Sequence, residues 1–345
     1  MLKWIYDLSY EELKEDIIKL RLPKFVTDQV FQWIYEKNIT DISSWSNISK
    51  QNRGILLRKY DTRLDQIKAI EKDIEGTGKY LIRLRDGKQI EAVSIKEKKH
   101  YTMCISTQVG CALGCKFCAT GRMGFKRDLT PGEILSQVLL LRSETAAELP
   151  GDNRKSKINI VFMGMGEPLL NYENLQKALA VITSGKGIGI SPRNITVSTA
   201  GILDGIMRLE RDFPVVKISF SLNAPDAESR EELMPISKKE ELSDILSYFR
   251  GTPRKHRITF EYVLLKGVND SPQAAGKVAK LLRGIACKIN LIPYNENDNM
   301  DYETPAKKDV EAFCEYLHGK GYTVIVRWSK GGDIKSACGQ LAVEI

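Results

Sequence analysis

The stretch MCISTQVGCALGCKFCATG, residues 103–121, holds four of the seven cysteines in this chain. Cys111, Cys115 and Cys118 follow the spacing C-x-x-x-C-x-x-C, and Cys104 precedes Cys111 by seven residues. Such spacing lets one short loop bring three thiols to a single metal centre. The nature of that centre therefore decides both the fold class and the function.

Two simpler explanations of this loop fit the sequence less well. Structural zinc prefers four nitrogen or sulfur ligands, commonly as two separated pairs, and the chain offers no second cysteine pair and only three histidines. Free cysteines also pack well in hydrophobic cores, but three of them beside Gly110 and Gly114 are an unusual core. Thiolates are the usual ligands of iron–sulfur clusters. The spacing therefore favours a [4Fe–4S] cluster in which one iron has no protein ligand.

The overall composition excludes several classes of protein. The 345 residues suffice for one large domain and a smaller one. No run approaches the roughly 18 apolar residues of a membrane span. The N-terminus, MLKWIYDLSYEEL, lacks the apolar segment of a signal peptide. An odd number of tightly spaced cysteines argues against a secreted disulfide scaffold. We therefore expect a cytoplasmic protein without a membrane partner.

The net charge of +8 permits binding to nucleic acid without requiring it. Three local clusters of basic residues strengthen the idea, although each could equally be an ordinary solvated surface. They are Lys96, Lys98 and Lys99; Arg122, Lys126 and Arg127; and Arg254, Lys255 and Arg257.

Residues 1–64 are predicted to form a small helical accessory domain that binds RNA. SYEELKEDIIKLRL opens with Ser9 three residues before Glu12, the spacing of a capping box. PKFVTDQVFQWIYEKN and ISKQNRGILLRKY have the apolar spacing of two further helices. Residues 65–100 change to an alternating pattern interrupted at Asp86-Gly87, which predicts a β-hairpin extension with two antiparallel strands.

From residue 101 to 345 the pattern of strand, turn and helix repeats. Six segments rich in valine and isoleucine, without clean alternation, suit parallel strands buried on both faces. They are TMCISTQ, INIVFMG, NITVST, VVKISFSL, RITFEYVLL and KINLIP, with TVIVR as a further strand. The helices between them are predicted at 131–143, 172–184, 240–250 and 272–283. This order predicts an α/β fold with a partial (β/α)6 barrel, and a doubly wound sheet is the alternative.

Polar and glycine-rich segments directly follow the predicted strands, which favours the barrel. They are GMGEP at 164–168, STAG at 198–201, SLNAP at 221–225, KGVND at 266–270 and PYNEN at 293–297. In a parallel barrel the carboxyl ends of all strands meet on one face, where active sites lie.

These features together resemble a known family. A C-x-x-x-C-x-x-C loop after the first strand of an α/β barrel, with the aromatic Phe117 before the third cysteine, resembles the signature of radical S-adenosylmethionine enzymes. CISTQVGCALGCKFCATG, FMGMGEPLLN, VSTAG, ISFSLNAPD, LIPYN and DIKSACGQLA resemble the RlmN/Cfr family of RNA methyltransferases. The resemblance extends from about residue 20 to the C-terminus. Pro168 in GMGEP is more similar to the members that methylate carbon 2 of adenine than to those that methylate carbon 8.

The resemblance implies a function and a set of partners. Members methylate an adenosine in 23S ribosomal RNA and, in some cases, transfer RNA. They use two molecules of S-adenosylmethionine per turnover and an electron donor such as flavodoxin or ferredoxin. A monomer is expected. Three alternatives stay open here: carbon-8 methylation of the same adenosine, a radical enzyme with a non-RNA substrate, and a non-catalytic iron–sulfur or zinc RNA-binding module.

The resemblance also implies roles for residues outside the cluster loop. Cys338, in the C-terminal loop, matches the thiol that is first methylated and then carries a methylene radical to the base. Cys104 matches the thiol that attacks the sulfur of Cys338, releases the product and leaves a Cys104–Cys338 disulfide. Glu91 matches the base that removes a proton. Cys111, Cys115 and Cys118 match the cluster ligands.

A second set of positions matches the family's binding site for S-adenosylmethionine. Position 223 is a histidine in many relatives, and both side chains can donate a hydrogen bond. The segment before Cys338, WSKGGDIKS, is more basic than is typical of the family. The matching positions are Gly166, Glu167, Ser198, Ser221, Leu222, Asn223 and Asn295.

Overall fold

The computed structural model describes residues 2–146, 158–297, 300–328, 330–331 and 334–343. The N-terminal region contains three helices, as the sequence predicts. Helix α1 has a complete capping box between Ser9 and Glu12. Helix α2 continues as a π-helix over Gln32–Glu36. A two-residue parallel pair closes the region by joining its first and last segments. The elements are β1 (Lys3–Trp4), α1 (Tyr10–Lys19), α2 (Val26–Phe31), α3 (Lys50–Lys59) and β2 (Tyr60–Asp61).

The segment after the helices contains three antiparallel strands, where the sequence predicts two. They are β3 (Gln66–Lys72), β4 (Gly78–Arg83) and β5 (Gln89–Lys96). Strand β3 was missed because nearly all of its residues are exposed, so its sequence has no buried face to create an alternating pattern. Strand β5 pairs with the first strand of the barrel. The hairpin is therefore part of one ten-stranded sheet rather than an appendage.

The remaining strands form an open barrel. In the ten-stranded sheet the parallel strands follow one another in chain order, which excludes the doubly wound alternative, because that fold reverses strand order at its centre. Two short strands flank the cysteine loop and pair with each other. The strands are β6 (Tyr101–Cys104), β7 (Gln108–Val109), β8 (Arg127–Asp128), β9 (Ile158–Phe162), β10 (Ile195–Thr199), β11 (Lys217–Ser221), β12 (Ile258–Leu264), β13 (Cys287–Pro293) and β14 (Thr323–Val326).

The helices predicted between these strands agree with the structure to within about two residues at most ends. No helix in the described ranges has the length and apolar character needed to cross a membrane. The helices are α4 (Ala119–Arg122), α5 (Pro131–Thr145), α6 (Tyr172–Thr183), α7 (Leu203–Asp212), α8 (Ala227–Leu233), α9 (Leu242–Gly251), α10 (Pro272–Leu281) and α11 (Lys307–Gly319).

The N-terminal helices share a hydrophobic core with the barrel. A single cluster of buried side chains extends from Trp4 through the helices to β14. Helix α5 is the link, because it is buried on nearly all sides. Asn38 donates to the Leu139 carbonyl at 3.0 Å, and Arg142 donates to the Tyr35 carbonyl at 2.6 Å. Removal of the N-terminal helices would therefore expose apolar surface of the barrel.

Candidate active site

The cysteine loop projects from the carboxyl end of β6, between the short strands β7 and β8. Its entry requires glycine at position 110, where φ is +77° and an added Cβ would lie 1.8 Å from the Gly124 carbonyl oxygen. The Cys111 amide donates to the same carbonyl at 3.2 Å. The glycines therefore let the two ends of the loop approach closely, so that the loop turns back on itself.

The three cysteines of this loop face one apolar cluster. Cys111, Cys115 and Cys118 are half-buried and pack against it. Its buried members are Leu113, Phe117, Ala200, Ala224, Leu233, Met234, Leu265 and Tyr294. The residues come from the loop itself and from segments that follow β10, β11, β12 and β13. The loop thus covers the end of the barrel that carries the polar rim.

The electrostatics of the loop suit thiolates bound to a metal cluster. Burial, with a smaller effect of the neighbouring Cys118 thiol, raises the pKa of Cys111 to about 12. Burial also raises the pKa of Cys115, where the other two thiols add to the effect and Arg230 opposes it. Binding to iron would offset this cost, because metals bind thiols in the deprotonated form. No three His, Cys, Asp or Glu side chains in the described ranges are close enough together for a single metal ion. Three thiols on one short loop are instead the kind of donor set that iron–sulfur clusters take.

Arg230 is a site residue that sequence reasoning missed. Its side chain is fully buried and donates to the Ser221 carbonyl at 3.0 Å and the Leu222 carbonyl at 3.2 Å. Burial lowers its pKa to about 10, while the nearby Cys115 thiol raises it. The arginine also donates to the Ala200 carbonyl, so it ties the rim after β11 to the rim after β10. It lies in SREEL, a helical segment that gives no sign of burial.

Glu167 lies directly above the barrel. It is 3 % exposed, and its carboxylate accepts from the Ala200 amide at 2.8 Å and the Leu169 amide at 3.1 Å. Burial raises its pKa to about 7. Its charge also reaches Cys111 and Cys115. The carboxylate is therefore fixed beside the thiols.

The preceding Gly166 allows a close approach of two segments. Its φ is +98°, and an added Cβ would lie 2.5 Å from the Cβ of Gln108. The Glu167 amide donates to the Gln108 side chain at 2.8 Å. Any larger residue at 166 would push the GMGEP segment away from the cysteine loop.

The other predicted cofactor positions lie along the same rim. Ser198 and Ser221 are half-buried at the carboxyl ends of β10 and β11, and Leu222 is fully buried. Asn223 has a φ of +56°, a conformation that asparagine tolerates better than most residues. Its side-chain oxygen accepts from the Val263 amide at 3.0 Å. The side chain of Asn223 therefore connects the segment after β11 to β12.

The C-terminal loop brings Cys338 over the barrel. Asn295 donates to the Cys338 carbonyl at 3.1 Å, and Asn297 donates to the Gly339 carbonyl at 3.3 Å. The same Gly339 carbonyl accepts from the Ala119 amide at 2.8 Å, directly after the third cluster cysteine. The loop is thus attached both to the PYNEN segment and to the start of α4.

Cys104 and Cys338 are close enough to influence one another. Burial raises the pKa of Cys104 to about 12, and the Cys338 thiol is the next largest cause. Cys338 is open to solvent at the surface of its loop, yet protein surrounds the thiol densely enough that desolvation is the main reason its pKa rises to about 12. Arg327 opposes both shifts. The structure therefore brings the two thiols, 234 positions apart in sequence, into one site.

Glu91 lies on the same face of the sheet as Cys104. Val93 is the direct partner of Cys104 across the β5–β6 pair, and side chains two residues apart share a face. Glu91 is 6 % exposed, and Lys79 Nζ lies 3.9 Å from its Oε1. It lines a cavity of about 640 Å³ whose other walls come from β3 and β4, from α4, from the segment after β13 and from the C-terminal segment.

In two of the three basic clusters, one arginine is neutralised by carboxylates. Arg127 pairs with Asp86 and Glu133, and Arg254 pairs with Glu210. By contrast, Arg122 and Lys126, in and after the cysteine loop, are exposed and form no ion pair with a described residue. Arg122 also lines the cavity beside Glu91.

Comparisons with known proteins agree with this arrangement. Residues 1–60 match the model of the ribosomal RNA large subunit methyltransferase N-terminal domain, and residues 105–275 match the radical SAM superfamily. A dual-specificity RNA methyltransferase RlmN from Solidesulfovibrio magneticus is 42% identical over 99% of this chain and 96% of its own length. One from Nitratiruptor sp. is 41% identical over 99% and 98%. The crystal structure of a radical SAM methyltransferase from Sphaerobacter thermophilus superposes with a TM-score of 0.93 at 36% identity, covering 99% of this chain and all of that one.

Proposed function

Because this chain belongs to the RlmN family of radical S-adenosylmethionine RNA methyltransferases, we propose that it methylates carbon 2 of an adenosine in 23S ribosomal RNA and in transfer RNA. The observation that carries the proposal is that the Cys338 thiol, on a loop bonded to the start of α4, raises the pKa of Cys104 at the end of β6. A radical enzyme that acts on a small molecule needs the loop but has no need for two further thiols at the same barrel mouth.

Carbon 2 of adenine explains why such a site is required. This carbon is electron-poor, so it cannot attack the methyl group of S-adenosylmethionine as a nucleophile would. A carbon radical can add to it instead. The enzyme therefore has to hold a one-carbon unit on one of its own atoms before the transfer, and a thiol is suited to that task.

Cys111, Cys115 and Cys118 would hold the [4Fe–4S] cluster, and the rim around Glu167 would bind S-adenosylmethionine. The bound cofactors supply a methyl group from one molecule of S-adenosylmethionine and an organic radical from a second. The side chains at this rim orient them. Glu167 would bring a negative charge near the amino group, and the serines at 198 and 221 would offer hydroxyl groups at the strand ends.

The two remaining thiols have separate roles. Cys338 accepts the first methyl group on its sulfur and carries the one-carbon unit to the base. Cys104 attacks the sulfur of Cys338 once that unit is attached to the adenine. This attack breaks the bond between sulfur and carbon, releases the base and leaves a Cys104–Cys338 disulfide, which an external thiol reduces.

Glu91 is suited to remove the proton from carbon 2. It is buried in the wall of the 640 Å³ cavity and shares the sheet face of Cys104. Lys79 lies beside it and favours the ionised carboxylate that a base requires.

The RNA would approach the open side of this cavity. Arg122 and Lys126 are available for phosphate contacts, and the N-terminal helices lie against the same barrel through α5. We extend the proposal to a flavodoxin or ferredoxin as electron donor, to a monomeric enzyme and to a cytoplasmic location, where its RNA substrates are found.

The test is nucleoside mass spectrometry of ribosomal and transfer RNA from a strain with the gene deleted, with and without a plasmid copy. We expect 2-methyladenosine to disappear on deletion and to return with the wild-type gene. Return of 8-methyladenosine would establish the alternative carbon, and no change in either nucleoside would contradict the proposal. A copy with Cys338→Ala is the matched control and should restore nothing.

A further inference from the structure

One face of strands β3, β4 and β5 forms a wall of the cavity beside Glu91. Side chains alternate between the two faces of a strand. On β4, Tyr80 and Ile82 lie in the main hydrophobic core, whereas Lys79 and Leu81 line the cavity. The hairpin extension is therefore part of the site, and its other contributions to this wall are Ala69, Glu71 and Glu91.

Lys79 is the least exposed of the cations that line this cavity. Its side chain is 13 % exposed, whereas Arg122 and Lys335 are exposed. Exposed cations at the opening can meet the phosphates of an RNA backbone. A largely buried ammonium group is costly unless it has a partner, so its position inside the cavity calls for an explanation. Lys79 is placed to meet the part of the substrate that enters the cavity.

Two carboxylates flank the ammonium group of Lys79. Its Nζ lies 3.1 Å from Oε2 of Glu71, the direct partner of Lys79 across the β3–β4 pair. The same Nζ lies 3.9 Å from Oε1 of Glu91. Only the first distance is short enough for a hydrogen bond. Because lysine has three N–H donors, Glu71 can hold the ammonium group while other donors serve a ligand beside Glu91.

The proposed function brings carbon 2 of adenine to Glu91. A base has to come within hydrogen-bond distance of the proton that it removes. Carbon 2 lies between two ring nitrogens, each bonded directly to it and each a hydrogen-bond acceptor. With carbon 2 at Glu91, one of these nitrogens comes within reach of a donor that lies 3.9 Å from Oε1 of the same glutamate.

We propose, on the basis of the proposed function, that Lys79 is a further catalytic residue, which donates a hydrogen bond from Nζ to a ring nitrogen next to carbon 2 of the adenine. This bond withdraws electron density from the ring, so carbon 2 accepts the carbon radical carried by Cys338 more readily. When Glu91 removes the proton, the electrons of the C–H bond stay on the ring, where the adjacent ammonium group stabilises them. Lys79 itself transfers neither a proton nor an electron.

A role limited to the charge of Glu91 is the alternative for this lysine. An ammonium group near a carboxylate favours the ionised base, whichever substrate is bound. The two roles differ in what they require of the adenine. The hydrogen bond needs a nitrogen next to carbon 2, and the effect on Glu91 does not.

The first experiment removes that nitrogen from the substrate. The affinity of the reconstituted holoenzyme is measured without a reductant, so that no turnover occurs. The probes are fragments of 23S ribosomal RNA with adenosine, 1-deazaadenosine or 3-deazaadenosine at the modified position. A hydrogen bond to a charged group is worth a factor of roughly 10–100 in affinity. The wild type should therefore bind one deaza RNA about 10–100-fold more weakly, and that analogue identifies the nitrogen.

The matched variants complete this experiment. Lys79→Met should bind all three RNAs with similar affinity, because it has no donor that distinguishes them. Lys79→Arg keeps the positive charge and the N–H donors and should retain part of the discrimination. Lys277→Met, which removes an exposed lysine paired with Asp226 on α10, is the control and should keep the wild-type ratio of affinities.

The second experiment separates the step on the base from the earlier step on the enzyme. In a single turnover with unmodified RNA, Lys79→Met should form 2-methyladenosine at least about 10-fold more slowly than the wild type, for the same hydrogen bond. Methylation of Cys338 without RNA, followed by peptide mass spectrometry, should match the wild type, because Lys79 acts only once the adenine is bound.

Each failure has its own signature. Equal affinity of the wild type for all three RNAs, or wild-type discrimination retained by Lys79→Met, would overturn the assignment and leave the proposed function intact. Loss of Cys338 methylation in both Lys79→Met and Lys79→Arg would show that the lysine only supports the structure and would also overturn it. Absence of Cys338 methylation in the wild type would instead overturn the proposed function.

Discussion

The two cysteine-bearing loops of this molecule are attached in opposite ways. The cysteine loop at 110–126 begins and ends in the paired strands β7 and β8 and has buried apolar residues at its centre. The C-terminal loop around Cys338 accepts hydrogen bonds from Asn295, Asn297 and Ala119, and its residues Ala337 and Leu341 are buried while Cys338 itself is exposed. Paired strands hold the first loop at both ends, whereas the second has no strand pairing and leaves its cysteine at the surface.

The difference corresponds to what each thiol has to do. A cluster ligand holds one position throughout turnover, and packing in an apolar core provides that. In the proposed mechanism, Cys338 would have to meet S-adenosylmethionine, then the RNA base and finally Cys104. The hydrogen bonds at Cys338 and Gly339 are each worth about 1 kcal/mol, so this short segment can shift locally at modest cost while Ala337 and Leu341 stay buried. The two loops therefore divide the site into a fixed part and a movable part.

The largest effect is expected in the fixed part. Cys115→Ala should remove the cluster and abolish all activity, because the cluster would lose one of the three thiolates proposed to hold it. Iron content and the brown colour of the anaerobically purified protein measure this. Cys314→Ala, on α11 and outside the site, is the control and should keep both. Full iron content in Cys115→Ala would show that the loop does not hold the cluster.

A smaller effect is expected in the movable part. Asn297→Ala removes one bond to the C-terminal loop, so we expect about a fivefold loss in the rate of Cys338 methylation, as a bond of about 1 kcal/mol implies. The cluster should be unaffected. A variant that lost iron instead would show that the two loops are one structural unit, and the comparison between them would fail.

The smallest effect is expected at the surface beside the loops. Arg122→Gln and Lys126→Gln should each reduce the slope of log affinity for RNA against log salt by about 0.7–0.9 if each side chain contacts one phosphate. Binding assays over a range of salt concentrations measure the slope. Arg211→Gln, in the last turn of α7, where Arg211 pairs with Asp212, should not change it. Equal slopes in all variants would show that the RNA approaches elsewhere.

The sequence predicted the barrel because its strands are buried on both faces and its rim carries polar residues. It missed β3, since an exposed edge strand needs no apolar pattern, and it treated residues 65–100 as separate from the sheet that they extend. It also missed Arg230, whose burial depends on contacts with the ends of distant strands. A local sequence pattern can predict which face of a helix or strand is buried. It cannot predict contacts between side chains that are distant in sequence and meet only in the folded barrel.

The site residues show the same limit. Cys104, Cys111, Cys115 and Cys118 lie within fifteen positions of sequence. The spacing of the last three predicted a cluster-binding loop. Nothing local indicated that Cys338 would meet Cys104, and only the resemblance to a family suggested it. The structure adds the physical reason, which is that the C-terminal loop bonds to the PYNEN segment and to the start of α4.

The central claim is that Cys338 carries the one-carbon unit and Cys104 releases it, and the Cys104→Ala variant tests this most directly. That variant can methylate Cys338 and attach it to the adenine, but it has no thiol to break the resulting bond. Denaturing electrophoresis with and without ribonuclease, followed by peptide mapping, should reveal enzyme joined to RNA through Cys338, and none in Cys338→Ala. Normal turnover by Cys104→Ala, or a crosslink at another residue, would contradict the account.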